Sequence, residues 1–220
     1  MLSTDTVWER SELVGEEISL SMFNALLGMV LTWGFGVNYA MVTMIPPEVV
    51  LGINPWVFFI GYIGCVFAGT WIYTSSDNPL ISFGGYNLIV VPIGLLLVRF
   101  LVLFEPEVIG QAFLATGLVT GSMMVLAMLY PKFFLSIGRA LGVAFLTAFA
   151  VEMGMWFFTG SMPPIFDWIF VLIFSGYIGY DWARAQHLPK TVDNAVDAAA
   201  ALYVDIVILF MRLVRIFGRR

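Results

Sequence analysis

The sequence predicts an all-α integral membrane protein, a single domain of seven transmembrane helices. Three observations predict it: a composition too apolar for water, seven apolar segments of membrane length, and a one-sided distribution of loop charge. Of the 220 residues, 60% are hydrophobic and 11% charged, and the mean hydropathy is +0.94. Soluble domains run about 45–50% apolar and about 25% charged.

A polar, acidic tail covers residues 1–19 and contains Asp5, Glu9, Glu12, Glu16 and Glu17. It lacks a basic leader and a small-residue cleavage site, so the first apolar run reads as a helix and not as a signal peptide. Residues 20–220 form the membrane domain, with segments at 20–44, 55–74, 80–104, 108–129, 136–159, 164–186 and 195–217. Each is long enough to span ~30 Å of hydrocarbon at ~1.5 Å per residue. Pro46-Pro47 ends the first segment, and Ser75-Ser76-Asp77-Asn78-Pro79 separates the second from the third. Glu105-Pro106-Glu107, Pro131-Lys132, Met162-Pro163-Pro164 and His187-Leu188-Pro189-Lys190 make the later breaks. Asn194 is the expected N-cap of the seventh helix, with Asp197 in its first turn. Gly117-x-x-x-Gly121 and Gly138-x-x-x-Gly142 predict close helix contacts.

Loop charge sets orientation. With the N-terminus in the cytoplasm, Arg10, Lys132, Arg139, Arg184 and Lys190 fall on the cytoplasmic side, and the outward connections carry no Lys or Arg. The seventh segment conflicts with this, because Arg212 and Arg215 lie in its last turns and Arg219 and Arg220 follow it. Either it crosses against the rule or it re-enters and returns. The net charge of −5 and the hydrophobic body argue against nucleic-acid binding. A lone cysteine, Cys65, excludes an internal disulfide and a cysteine-rich metal site. The expected partners are the lipid bilayer, protons and cations, with no bound cofactor.

Charged groups inside a membrane cost about 2.5–3.5 kcal/mol each on insertion scales, so each needs a reason. Arg99, Glu152, Asp181 and Asp205 are the candidates. Asp205 lies mid-segment, with Ala198, Ala201 and Leu202 on its face and Arg212 two turns on. Asp181 closes the run Ile173–Tyr180 on the preceding segment. Antiparallel packing of the last two helices puts both carboxylates at similar depth, within reach of one another. Two carboxylates in contact in a low-dielectric site cannot both ionise cheaply and tend to share a proton. Doubly ionised, they attract a hard cation such as calcium. A structural hydrogen bond is the plain alternative for Asp205, and an interfacial acid for Asp181. Glu152 is a candidate for an ion pathway or an ion pair. Arg99 is its candidate partner, or else snorkels from a helix end.

Phe174-Ser175-Gly176-Tyr177-Ile178-Gly179-Tyr180-Asp181 and Ala201-Leu202-Tyr203-Val204-Asp205-Ile206-Val207-Ile208-Leu209-Phe210 resemble the Bax inhibitor family of membrane proteins. The tail Leu213–Gly218 fits as well, and Ser75–Pro79 with Gly85–Pro92 resembles prokaryotic members. The resemblance implies six helices around a central seventh and a pH-sensitive cation leak, mainly for calcium. It assigns the pH sensor, gate and calcium contact to Asp181 and Asp205. It places the protein in the plasma membrane of a prokaryote. Two departures stand out. The end of the second segment, Trp71–Ser76, has no basic residue to pair with the aspartate of the sixth, and Gln111 occupies a place where some relatives have glutamate.

The expected function is therefore a non-enzymatic leak channel. A non-conducting membrane scaffold or stress regulator is the main alternative. An intramembrane aspartyl protease is a weaker one: Tyr180-Asp181 suits it, but Leu202-Tyr203-Val204-Asp205 lacks the glycines of its second motif.

Overall fold

A computed structural model describes residues 16–219; most of the acidic tail, with Arg10, and the terminal Arg220 lie outside the described residues. Within them the chain forms eight α-helices and no strand. They are α1 Leu20–Met44, α2 Pro47–Leu51, α3 Pro55–Ser75, α4 Pro79–Leu101, α5 Pro106–Leu129, α6 Pro131–Thr159, α7 Ile165–Ala185 and α8 Val192–Phe217.

Prolines that interrupt the sequence start the helices. Pro47, Pro55, Pro79, Pro106 and Pro131 each open one, where a missing N–H costs nothing and φ is already helical. Asn54 and Asn78 cap α3 and α4 through their side-chain oxygens, which accept from the amides of Trp56 and Leu80 at 2.9 Å. Gly160, at φ 69°, ends α6 in the left-handed region, and its amide donates to Trp156 O.

Some expected boundaries move for the same reason. The fifth segment starts at Pro131 instead of 136, because Pro131 serves as the first helical residue. The third stops at Leu101, short of 104, which leaves Arg99 in its last turn. The short helix α2 lies where the sequence showed only a double proline. Asn194 is not the N-cap of α8. The helix begins at Val192, the Thr191 hydroxyl accepts the Asn194 amide at 3.2 Å, and the Asn194 side chain bonds Pro189 O at 2.8 Å.

Five helices, α1, α3, α4, α5 and α6, are long and apolar enough to cross a membrane. Outward-facing residues such as Trp56, Phe67, Trp71, Phe113, Leu118 and Phe158 present the apolar surface that lipid requires. The α7 and α8 helices have membrane length but carry acids and arginines. Their acidic residues Asp167, Asp181, Asp193, Asp197 and Asp205 are all buried in protein. The α8 helix runs unbroken for 26 residues, about 39 Å at ~1.5 Å each, so the segment does not turn back on itself.

The chain divides into two compact units. The first contains α1 to α4 and residues 188–201. Here α3 and α4 approach backbone to backbone: a Cβ on Gly69 would stand 2.6 Å from Gly85 O. On its other side α4 meets α1, where Gly94 leaves room for Asn38 and Met41. The buried Tyr86 hydroxyl donates to Val30 O at 3.0 Å. The Ser82 hydroxyl donates to the buried Asp193 carboxylate at 2.7 Å.

The second unit contains residues 104–187 and 202–220. In it α7 packs against both α5 and α6. The expected contact at Gly138-x-x-x-Gly142 is present, since Gly138 lies under the Tyr180 ring and Gly142 faces the Tyr177 hydroxyl. Gly176 and Gly179 return the favour from α7, meeting Leu141 and Phe134. Gly117 and Gly121 face open space on α5, with no neighbour within 4 Å.

Candidate functional site

Two polar centres lie inside the second unit, both where α7 meets the C-terminal half of α8. The first joins Asp181 and Asp205, whose side chains are in hydrogen-bond contact. Both residues are more than nine-tenths buried. Ionised carboxylates only accept hydrogen bonds, so a bond between two of them requires a proton held between the pair. Asp205 Oδ2 is buried and has no hydrogen-bond partner among the described residues. That oxygen keeps unused acceptor capacity, which a proton or a water can fill.

The surroundings are aromatic. Tyr177, one turn before Asp181, lies within electrostatic range of both carboxylates. Arg184, nearly a turn beyond Asp181, is within coulombic range of it and stacks 4.9 Å over the Tyr180 ring. Tyrosines of this bulk lie close to α6 because Gly138 and Gly142 make room.

The second centre is an ion-pair network. Arg212 grips Glu152 with two bonds, Nη1 to Oε1 at 2.7 Å and Nη2 to Oε2 at 3.0 Å. Its Nη1 also reaches Asp167 Oδ1 at 3.0 Å, and its guanidinium lies 3.9 Å over the Phe170 ring. Arg215 contacts Asp167 at 3.1 Å and Glu152 at 3.6 Å, and Arg219 contacts Asp167 Oδ2 at 2.7 Å. Both acids are almost fully buried, a state that carboxylates tolerate only when paired.

Arg99 takes no part in this network. Its Nη1 faces the carbonyls of Val50 and Ile53 at 3.5 Å, and the guanidinium lies 5.5 Å over Phe58 in the first unit. Glu152 takes its partners from α8. The expected Glu152–Arg99 pairing is thus replaced by Glu152–Arg212, while Arg99, in the last turn of α4, faces backbone carbonyls of the α2 end.

Sequence reasoning missed Asp167, Arg215 and Arg219. A signal was available: Arg212, Arg215 and Arg219 recur at the three- and four-residue spacing of one helix face. Asp167, in the first turn of α7, has the look of an ordinary dipole-complementing acid.

No group of three or more His, Cys, Asp or Glu side chains suited to hold a metal occurs among the described residues. Two carboxylates supply at most four oxygens, and calcium takes about six to eight.

A family model described as inhibitor of apoptosis-promoting Bax1 matches residues 17–220, a span that includes both polar centres. An uncharacterized protein of Campylobacter jejuni is 30% identical over 168 residues, 73% of this chain and 70% of its own length. An uncharacterized membrane protein of Streptococcus pyogenes is 27% identical over 126 residues, 54% of this chain and 55% of its own length. The chain belongs to the Bax inhibitor family of membrane proteins.

Proposed function

We propose that the protein is a pH-sensitive, calcium-permeable leak channel of a bacterial plasma membrane, gated by Asp181 and Asp205. The observation that carries this reading is the buried contact of the two carboxylates, with Asp205 Oδ2 left open. Joined through a proton, the pair is a neutral latch between α7 and α8. Loss of that proton leaves two like charges in a low-dielectric site, which repel each other and attract a cation. Calcium is the permeant species in this scheme, and the proton is the control.

The proposal includes seven crossings, by α1 and α3 to α8, with the N-terminus in the cytoplasm and α8 as the central helix. The buried acids along α8 support that place, since a charged helix needs protein around it instead of lipid. We assign Glu152 and Arg212 to holding α8 in position, because each already satisfies the other.

The test is calcium entry into dye-loaded liposomes containing the full chain, followed from acidic to mildly alkaline buffer. Wild-type flux should change with pH, and Asp205→Asn should flatten the response. Equal flux and equal pH dependence in the two proteins would sink the carboxylate gate. Absence of flux in both would leave a scaffold, and cleavage of an added membrane substrate that either Asp→Asn change abolishes would indicate a protease.

A further inference from the structure

We propose that Arg215 and Arg219 form a binding site for the phosphate of an anionic phospholipid. The inference is independent of ion conduction and starts from a charge count. Three guanidinium groups, of Arg212, Arg215 and Arg219, face two carboxylates, of Glu152 and Asp167. One positive charge is left over.

The surplus lies toward the surface. Side-chain exposure rises from 14% at Arg212 to 25% at Arg215 and 36% at Arg219, while the acids stay at 3% and 0%. Arg212 is consumed by its bidentate bond to Glu152 and its contact with Asp167. Arg215 reaches the acids through Nη2 alone, and Arg219 through Nη1 alone. A guanidinium has five N–H donors in a planar fork, so each keeps a further edge that can meet a phosphate.

The neighbouring residues identify the source of that phosphate. The last turn of α6 and the first turn of α7 flank the network, and their Trp156, Phe158 and Trp168 are 51%, 84% and 51% exposed. Exposed tryptophans at helix ends mark the headgroup level of a bilayer. Arg219 lies two residues past the end of α8 and contacts Asp167 in the first turn of α7, so its guanidinium is near that level too. A zwitterionic lipid offers no net charge to balance the surplus; an anionic one does.

The full chain, reconstituted in mixed phosphatidylcholine–phosphatidylglycerol bilayers and extracted gently, is the material for the test. Lipid that stays bound is quantified by native mass spectrometry. Wild type should retain phosphatidylglycerol in preference to phosphatidylcholine. Arg219→Gln should lower that preference about tenfold, the scale of one charge-assisted contact. Arg219→Lys, which keeps the charge, should retain most of it, and an unchanged unfolding transition in both variants excludes misfolding as the cause. Equal retention of the two lipids by wild type overturns the proposal. So does an undiminished preference in Arg219→Gln. Displacement of bound lipid by inorganic phosphate in the buffer would make this a free-anion site and overturn the lipid assignment.

Discussion

Arg212 and Glu152 meet fork to fork, with Nη1–Oε1 at 2.7 Å and Nη2–Oε2 at 3.0 Å, although 60 residues separate them in sequence. The bond ties α8 to α6, and the shared Asp167 adds α7. Breaking a buried ion pair from one side leaves an uncompensated charge, which costs about 3–5 kcal/mol. Arg212→Ala should therefore lower stability by about that amount in chemical unfolding of the detergent-solubilised protein. Arg212→Lys should recover only part, because an ammonium cannot reproduce the planar fork. A loss under about 1 kcal/mol in Arg212→Ala would mean that Arg215 takes over the Glu152 carboxylate.

Glycine positions divide into packed and open ones. A Cβ on Gly138 would fall on the Tyr180 ring, and one on Gly179 on the Phe134 ring. Overpacking of this kind costs about 1–3 kcal/mol. Gly117 has open space around it, so Gly117→Ala gains up to about 1 kcal/mol in helix propensity. Thermal unfolding of Gly138→Ala, Gly179→Ala and Gly117→Ala should show the first two below wild type and the third at or above it. A destabilised Gly117→Ala would reveal that this face of α5 packs against something in the membrane.

The Ser82 hydroxyl donates a hydrogen bond to Asp193, the acid in the first turn of α8, at 2.7 Å in a buried position. Ser82→Ala removes the donor and keeps the carboxylate, an exchange that costs about 1–3 kcal/mol. Ser82→Thr restores the hydroxyl and should rescue stability if its extra methyl is accommodated. Equal stability of wild type and Ser82→Ala would show that the bond contributes nothing net.

Much of the fold was legible in the sequence. Pro55, Pro79 and Pro106 lie within two residues of the expected segment starts, because proline fits the first turn of a helix and is costly deeper in, whereas Pro131 reads in the sequence as a break ahead of a helix at 136. The carboxylate pair was legible too, since α7 and α8 are joined by a short connection that places Asp181 and Asp205 at similar depth. The ion-pair network was not. Helical spacing says which residues of α8 share a face, but not that α6 would bring Glu152 to that face. The spacing of Gly138 and Gly142 likewise announces a close approach without naming the tyrosines that fill it.

Asp181 and Asp205 act on one proton in the proposed mechanism, so their effects should not add. The pH response of calcium flux should be flattened to the same degree by Asp181→Asn, by Asp205→Asn and by both together, because coupled groups titrate as a pair. Liposome flux across a pH series decides it. Independent, additive effects of the two changes would show that each carboxylate answers to its own proton.

In the proposed orientation the arginine-rich end of α8 conflicts with the positive-inside rule, and the ion pairs offer a resolution. Glu152 and Asp167 lie on α6 and α7, which precede α8 in the chain, so in the proposed topology they insert before it. Three of the arginines then meet buried carboxylates. An arginine costs about 2.5–3.5 kcal/mol at the bilayer centre and less near a helix end, so two paired charges can shift the balance between crossing and retention. With the proposed cytoplasmic N-terminus and seven crossings, a reporter fused after Arg220 should lie outside the cell in the wild-type protein. In the Glu152→Gln/Asp167→Asn double variant a large fraction should stay in the cytoplasm, because α8 meets no partners for its arginines. A reporter that lies outside to the same extent in both proteins would show that the acids do not govern the crossing, and one that lies inside in wild type would exclude the seventh crossing itself.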